Sequence, residues 1–449
     1  MSTKTVIDEN GAVHHLTHCL GEGGQGRVWL TRGERRVVKV FPERIHRETL
    51  KGQLAFVKRL DLRDLDVARP LALLRAPDIG YVAEFLADMV PIRTLIRPKA
   101  GESLLQWYIA TGGIRRRLRL LAHAGEALAG LHARGLVYAD VSPANVFVSA
   151  PMEAVEAWLI DLDNLRYEGE VERAVYTPGY GAPEIMGGQN FATPMSDAWS
   201  FAVLAFQTLT LTHPLLGDWV NDGEPELEDE ALAGRLPWIE HSSDSRNRST
   251  MGLPREWSFS GKLMDLARET FEKGIDEPDR RPSVSKWVER LHVAADRTVR
   301  CKNCRGTFLV NAKACVFCDS PKPRVATIRI KRWKPGKGIV EEMGELSKLP
   351  LFDEPLLLTK RHTQGDSGPG ARTVAVELES QERGFVVRAV DGPCWITPPG
   401  QTDGSTEFEV THRGRTLLLA AKVHESWVIH FDRVDTPHRV AIVTGSSSR

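Results

Sequence analysis

The stretch that most constrains the fold is residues 138–147, a predicted loop that holds a carboxylate, Asp140, five positions before a carboxamide, Asn145. Residues 115–134 lead into it as a predicted helix, because apolar residues recur there at helical spacing and Gly135 follows as a stop. Alone, the Asp–Asn pair could simply cap backbone groups of a turn. The motifs before and after the loop decide between a turn and a reactive site.

A glycine-rich segment near the N-terminus follows the pattern G-x-G-x-x-G-x-V, with its fixed positions at Gly21, Gly23, Gly26 and Val28. Glycines let the backbone close over phosphate groups without interference from a Cβ atom. A dinucleotide-binding turn would need a helix directly after the glycines, whereas the residues that follow have the pattern of two strands around a turn. The segment is therefore predicted to be a phosphate-covering hairpin.

Further motifs follow the loop in a fixed order. Residues 158–164 are an apolar strand that ends in acidic residues, beginning with Asp161. Residues 177–184 read T-P-G-Y-G-A-P-E, residues 196–203 read S-D-A-W-S-F-A-V, and residues 279–282 read D-R-R-P. Together with the glycine segment and the Asp–Asn loop, this order resembles the eukaryotic-like (Hanks-type) bacterial Ser/Thr protein kinase family over about residues 16–295.

The resemblance implies a role for each motif residue. Asp140 would orient the acceptor hydroxyl and accept its proton. Asn145 and Asp161 would hold Mg²⁺ or Mn²⁺ on the phosphates of ATP, and Lys39 would neutralise phosphate charge. These are the residues that we expect to carry the reaction.

The partner of Lys39 should be an acidic residue on the helix that follows, predicted over residues 43–60. Glu48 is our choice for this partner. Glu43 and Gln53 lie on the same predicted helix and stay open as alternatives.

Other positions are assigned to binding and scaffolding by the same resemblance. The backbone of Glu84 and Leu86, at the end of an apolar strand, is expected to contact adenine as a hinge. Asp197 is expected to hold the backbone of the catalytic loop, and Arg281 to pair with Glu184.

The sequence also departs from the family pattern. The arginine that usually precedes the catalytic aspartate is Ala139, the lysine that usually follows two residues later is Ser142, and the glycine after Asp161 is Asp163. Loss of the lysine removes a cation from the γ-phosphate, and this change bears on the turnover rate. Asp163 is expected to be a local turn acid, with an approach to metal as the alternative.

Four cysteines cluster in two C-x-x-C pairs, Cys301 with Cys304 and Cys315 with Cys318. Two such pairs can place four thiolates around one Zn²⁺ ion, and a segment this short has little other core. Disulfides are the alternative, disfavoured because ATP chemistry implies a reducing compartment. We therefore expect a structural zinc ribbon over residues 298–323.

The predicted domain order is a kinase N-lobe over residues 1–86, a C-lobe over residues 87–297, the ribbon, and a β-rich domain over residues 324–449. The fold class is thus α+β, a bilobal protein-kinase-like fold followed by the ribbon and an all-β C-terminal domain. Short strands separated by turn signals indicate a sandwich or a barrel there. That domain is expected to bind a partner or to regulate the kinase.

The chain carries 59 basic and 59 acidic residues, which gives no bulk electrostatic reason to expect nucleic acid or an anionic membrane as partner. No apolar segment is long enough to span a bilayer, so a cytoplasmic location is expected. The finer resemblance is to the kinase of tellurite-resistance-associated phosphorylation triads. That likeness implies a phosphatase and a von Willebrand A-type protein as partners.

The leading functional hypothesis is an ATP- and Mg²⁺-dependent protein kinase acting on Ser or Thr of a protein substrate. A pseudokinase that docks partners is the alternative, although such a scaffold needs neither Lys39 nor Asp140. A small-molecule phosphotransferase is disfavoured by the complete activation segment that ends at Glu184.

Overall fold

The computed structural model describes residues 4–23, 26–33, 35–42, 47–170, 175–189, 191–323, 325–340, 347–351, 354–381, 384–399, 407–418 and 426–444. These residues form two compact units. The first comprises residues 1–97, 123–252 and 264–287, and the second comprises residues 98–122, 253–263 and 288–449. Residues 98–122 and 253–263, which the sequence assigns to the C-lobe, are thus grouped with the ribbon and the β-rich region.

The first unit begins with a six-stranded antiparallel sheet and one helix. Its elements are β1 (Thr5–Ile7), β2 (Val13–Gly23), β3 (Gly26–Thr31), β4 (Arg36–Val40), α1 (Arg47–Arg59), β5 (Ala72–Leu73) and β6 (Gly80–Glu84), and the strand order is β1-β2-β3-β4-β6-β5. Leu54 of α1 packs in one buried cluster with Tyr81 of β6. Lys39 of β4 lies directly opposite Tyr81, so cross-strand pairing brings this lysine to the face that α1 covers.

Helices and short strands make up the middle of the chain. They are β7 (Met89–Pro91), α2 (Leu104–Ala110), α3 (Gly113–His132), β8 (Leu136–Val137), β9 (Val146–Ser149), β10 (Ala157–Leu159), β11 (Arg166–Tyr167), α4 (Pro183–Met186), α5 (Pro194–Thr210), α6 (Asp218–Asn221), α7 (Glu226–Leu232), α8 (Arg255–Ser258), α9 (Gly261–Arg268), α10 (Gly274–Asp276) and α11 (Val284–Asp296). Two small sheets, β10-β9-β7 and β11-β8, flank the Asp–Asn loop. The loop is therefore pinned at both ends by strand pairing.

The central helix α5 starts and stops where its sequence dictates. Thr193 and Ser196 form a reciprocal capping box at its N-terminus, with Pro194 in the first turn. It ends at Thr210, and the capping residue Leu211 adopts a left-handed conformation with φ of 63°. Since nearly every residue between is buried, α5 is the core of this part of the molecule.

The second unit contains a β-rich region built from two sheets. After β12 (Thr298–Arg300) and β13 (Thr307–Leu309) come β14 (Ala326–Lys334), β15 (Gly338–Ile339), β16 (Ser347–Leu351), β17 (Leu356–Thr359), α12 (Lys360–Thr363), β18 (Val374–Gln381), β19 (Gly384–Ala389), β20 (Cys394–Thr397), β21 (Phe408–Val410), β22 (Arg415–Leu418), β23 (Trp427–His430) and β24 (His438–Thr444). One sheet runs β15-β14-β24-β23-β20-β21 with β16 also on β14, and the other runs β17-β18-β19-β22. Ile328 and Ile429 of the first sheet share one buried core with Leu378 and Phe385 of the second, which is the packing of a sandwich.

Among the described residues, no helix is both long and apolar enough to cross a bilayer.

Candidate active site

The Asp–Asn loop brings its two predicted reactive side chains together. Asn145 Nδ2 donates to Asp140 Oδ2 at 2.8 Å, and Thr177 Oγ1 donates to Asp140 Oδ1 at 2.7 Å. Burial raises the pKa of Asp140, and the hydrogen bonds from Thr177 and Asn145 only partly oppose that rise. Asp140 is therefore oriented at both oxygens.

Asp197 of α5 shapes the backbone that carries Asp140. Its carboxylate, almost fully buried, accepts hydrogen bonds from the backbone N–H of Tyr138 at 2.8 Å and of Ala139 at 2.9 Å. Ala139 has φ of 70°, an uncommon conformation for a residue with a Cβ atom, and these two bonds hold it there. The predicted role of Asp197 is confirmed.

Lys39 meets two carboxylates across the site. Its Nζ contacts Asp161 Oδ1 and Asp163 Oδ2, and the lysine is only 6% exposed. Burial lowers the pKa of Lys39, but the charges of Asp163 and Asp161 outweigh this, so the pKa is raised overall. Burial, followed by the charge of Asp161, raises the pKa of Asp163, and the charge of Lys39 opposes that rise. The predicted strand lysine thus lies beside the predicted metal-binding aspartate.

The expected pairing of Lys39 with Glu48 needs correction. Glu48 is exposed at the start of α1, and the carboxylates that the described residues bring to Lys39 are those of Asp161 and Asp163. Gln53, on the same helix, donates through Nε2 to the carbonyl of Leu165. Glu43 lies outside the described residues. The first turn of α1 does not supply the partner of Lys39, because the side chain of Glu48 is exposed to solvent.

Sequence reasoning did not find the role of Asp163. It was expected to be a turn acid, yet its side chain is 5% exposed and reaches Lys39. The sequence signal was its position two residues after Asp161, and the turn that brings it to Lys39 is seen only in the structure.

The glycine segment leaves space where phosphates would lie. Gly23 pairs with Gly26 across the β2–β3 hairpin. A Cβ atom at Gly26 would lie 2.6 Å from the carbonyl oxygen of Val40, so only glycine fits there, whereas nothing lies within 4 Å of a Cβ atom at Gly21 or Gly23. Gly21 in turn pairs with Val28.

At the end of β6, the predicted hinge leaves the sheet. Glu84 is the last residue of the strand, where it pairs with Arg36, and Phe85 N–H donates to the carbonyl of Arg35 at 3.2 Å. Leu86 follows, half-buried. The contact of Glu84 and Leu86 with adenine stays a prediction.

Buried contacts fix the segment that follows the site. Arg281 forms a bidentate pair with Glu184, with both N–O distances at 2.7 Å, and its guanidinium lies 5.0 Å from the ring centre of Trp199. The predicted pair of Arg281 and Glu184 is confirmed. Since the arginine side chain is fully buried, this is scaffolding of the fold.

The cysteine cluster lies in the second unit. The sulfur atoms of Cys301, Cys304, Cys315 and Cys318 are all within 4.8 Å of one another, and all four cysteines are free thiols. Tetrahedral Zn²⁺ coordination needs four sulfurs clustered in this way. The residues present fit a metal with four protein ligands.

The donor set around Asp140 also fits its expected ligand. Carboxylates and a carboxamide are oxygen donors that Mg²⁺ prefers, and Asp161 and Asn145 supply one of each. Lys39 supplies the cation expected next to phosphate. The backbone at Gly21 and Gly23 leaves the space that phosphates require.

Known families match the same residues. The protein kinase domain family matches residues 99–292, and the lipopolysaccharide kinase (Kdo/WaaP) family matches residues 22–175. CBL-interacting protein kinase 4 of Oryza sativa subsp. japonica is 31% identical over 358 residues, which is 75% of this chain and 69% of that protein.

Bacterial relatives agree. Serine/threonine-protein kinase pkn2 of Myxococcus xanthus is 29% identical over 213 residues, which is 44% of this chain and 24% of that protein. Serine/threonine-protein kinase PknA of Mycobacterium tuberculosis is 27% identical over 235 residues, which is 49% of this chain and 51% of that protein. With Asp140, Asn145, Asp161 and Lys39 arranged as described, this chain belongs to the serine/threonine protein kinase family.

Proposed function

We propose that the protein transfers the γ-phosphoryl group of ATP, with Mg²⁺, to Ser or Thr of a protein substrate in a bacterial signalling system. The observation that carries the proposal is the orientation of Asp140, whose Oδ1 already accepts a hydrogen bond from a threonine hydroxyl at 2.7 Å. An acceptor hydroxyl of a substrate presents the same chemical group. Catalysis would then rest on positioning and charge stabilisation.

Each side chain has one task in this reaction. Asp140 orients the acceptor hydroxyl and takes its proton, which its raised pKa favours. Asn145 and Asp161 hold the metal, and the metal supplies charge neutralisation on the phosphates. Lys39 binds the phosphates, and the hinge backbone at Glu84 and Leu86 binds adenine.

The replacement of the usual lysine by Ser142 sets an expectation for rate. Ser142 is a fully buried residue of the loop, so this position carries no cation. Since that lysine contacts the γ-phosphate, we expect slow turnover. Autophosphorylation is proposed as part of the activity.

For the cysteine cluster, we propose one structural Zn²⁺ ion held by Cys301, Cys304, Cys315 and Cys318. Four protein ligands leave no open coordination position, so the metal would stabilise the fold without taking part in the reaction. Free thiols and ATP both suit a reducing compartment, and on that ground we propose a cytoplasmic location.

Partners are proposed from chemistry and resemblance. The β-rich region is assigned to docking or regulation. The likeness to the kinase of tellurite-resistance-associated triads suggests a phosphatase and a von Willebrand A-type protein of the same system.

An ATP-binding scaffold without transfer activity is the second candidate. The observation that favours it is the capture of Lys39 by two carboxylates, which leaves less of its charge for phosphate. Retention of both Asp140 and Asn145 favours the enzyme.

The test is transfer of radiolabelled phosphate from ATP by purified wild type and Asp140→Asn, with and without candidate protein substrates. Incorporation that depends on Asp140 supports the kinase. Stoichiometric ATP binding with no incorporation in either protein would instead establish the scaffold.

A further inference from the structure

Lys39 is held by two carboxylates that come from one short turn. The 3₁₀ turn Leu162–Asn164 follows Asp161 directly, and it carries Asp163 inward beneath β4. The two contacts of Lys39 Nζ, to Asp161 Oδ1 and to Asp163 Oδ2, are alike. Their surroundings are not alike.

The two aspartates differ in the solvent exposure of their side chains. The side chain of Asp161 is 24% exposed, whereas that of Asp163 is 5% exposed. Asp161 is therefore the more accessible of the two to a metal–nucleotide complex, and Asp163 is the more buried. A metal bound by Asp161 would share that carboxylate with the ammonium group of Lys39 and weaken its hold on the lysine.

Helix α1 offers no carboxylate in place of Asp161 among its described residues near this turn. Glu48 is exposed, and Gln53 is used by the carbonyl of Leu165. The helix packs against the turn that bears Asp163, so the acid comes from the turn itself. The aromatic ring of Phe41 lies next to the lysine as well, with its ring centre 5.0 Å from Lys39 Nζ.

We propose that Asp163 is the positioning residue for Lys39, in the role that a helix glutamate was expected to fill. The inference rests on the proposed phosphoryl transfer. Asp163 keeps the ammonium group aimed at the phosphates while Asp161 turns to the metal. The aspartate that departs from the family pattern thus takes the place of a helix acid, which the described residues of α1 do not bring to Lys39.

The first test needs no nucleotide. Melting temperatures are measured for wild type, Asp163→Asn, Lys39→Met and the double variant. Without its cation, the buried carboxylate of Asp163 is more costly, so Asp163→Asn should raise the melting temperature more in the Lys39→Met background, by a few degrees. An identical shift in both backgrounds would show that the two residues are not coupled, and would overturn the inference.

The second test is kinetic and uses Glu48→Gln as the matched control, because it removes an acid from the exposed end of α1. Asp163→Asn should lower kcat/KM for ATP about 100-fold, since a displaced lysine misplaces the phosphates. Glu48→Gln should leave kcat/KM unchanged. Equal losses in the two variants, or a loss in Glu48→Gln alone, would contradict the assignment.

Failure of the proposed function would look different. Wild type that transfers no phosphate would contradict the kinase reaction, while the melting-temperature cycle would still decide whether Asp163 and Lys39 are coupled. Active wild type with unaltered Asp163→Asn kinetics would contradict the positioning role alone.

Discussion

His213 shows how one buried side chain can fix the backbone next to the reactive loop. Its Nε2–H donates to the carbonyl of Gly179 at 2.8 Å, and its Nδ1 accepts from the N–H of Leu215 at 3.2 Å. These two bonds define a neutral ring, because a second proton on Nδ1 would oppose the N–H of Leu215. Burial accordingly lowers the pKa of His213 to about 4.

This lowered pKa predicts a pH dependence of stability. Between about pH 6.5 and pH 4 the unfolded chain binds a proton at His213 that the folded protein does not, so the free energy of unfolding should fall as the pH falls through this window. The loss should reach about 3 kcal/mol, with no contribution above that window. Urea unfolding of wild type and His213→Gln from pH 4 to 7 measures it.

The variant should show a shallower pH slope than wild type. His15→Gln, at an exposed position, is the control and should keep the wild-type slope. Parallel curves for wild type and His213→Gln would contradict the account.

Other single residues mark what sequence can and cannot reveal. Asp140 and Asn145 could be found because their spacing is fixed by one local loop. The partner of Lys39 could not be found from the sequence. Asp163 is 124 positions away, and the inward direction of its side chain depends on the left-handed backbone of Asp161. Glu48 was predicted from its position along the helix alone, and that position does not show which face of the helix is exposed to solvent.

At the scale of elements, the pair of Arg281 and Glu184 joins the end of the activation segment to the region before α11. Arg281→Met would leave Glu184 largely buried without its cation, so it should lower the free energy of unfolding by about 3–5 kcal/mol. Thermal or urea unfolding measures the change.

The neighbouring pair is a natural control. Arg280 contacts Glu277 at 3.0 Å with both side chains more than half exposed, so Arg280→Met should change stability little. The double variant Arg281→Met/Glu184→Leu should recover part of the loss, because no charge is then left unpaired. Equal stability of the Arg281→Met and Arg280→Met variants would refute a structural role for the buried pair.

The ribbon gives a second prediction at this scale. One equivalent of Zn²⁺ should be found by elemental analysis, and Cys315→Ser should lose it while nucleotide binding stays measurable. The Cys19→Ser variant changes an exposed thiol outside the cluster and should keep the metal. Wild-type protein without zinc would remove the proposal.

Sequence patterns predicted elements well where the signal is local. The helix expected over residues 115–134 is α3, Gly113–His132, and the two strands expected after the glycine segment are β3 and β4, which pair with each other. The β-rich region was left between a sandwich and a barrel, because strand patterns do not tell which strands pair. Its two sheets are set by long-range contacts that periodicity does not encode.

At the scale of the molecule, ion pairs within the second unit connect helices with the β-rich region. Arg115 of α3 donates to Glu354 at 2.6 Å, and Asp296 at the end of α11 accepts from Arg361 at 2.8 Å. Asp296 is nine-tenths or more buried, so its contact with Arg361 belongs to the interior of this unit. The strand-rich region is therefore continuous with helices that sequence alone assigned to the C-lobe.

Control of the activation segment is also predicted at this scale. Ala139 replaces the arginine that would bind a phosphorylated residue, and residues 164–176 contain no Ser or Thr. Residues 171–174 of that segment lie outside the described residues. The nearby hydroxyl of Thr177 is already bonded to Asp140. Activity should therefore not require prior phosphorylation there.

Rate measurement on phosphatase-treated enzyme with a separate protein substrate tests this, with mass spectrometry to locate phosphate. The reaction should start without a lag. A lag abolished by preincubation with ATP, with a phosphate mapped between Asn164 and Thr177, would reverse the conclusion.

The most direct measurement of the whole account is γ-phosphoryl transfer from ATP to a protein hydroxyl as a function of Mg²⁺ in wild type, Asp161→Asn and the exposed control Asp64→Asn. The account predicts transfer that is lost in EDTA, lowered at least about 100-fold by Asp161→Asn, and retained by Asp64→Asn. Transfer by Asp161→Asn at the wild-type rate, or transfer that persists without divalent metal, would contradict the assignment of the site.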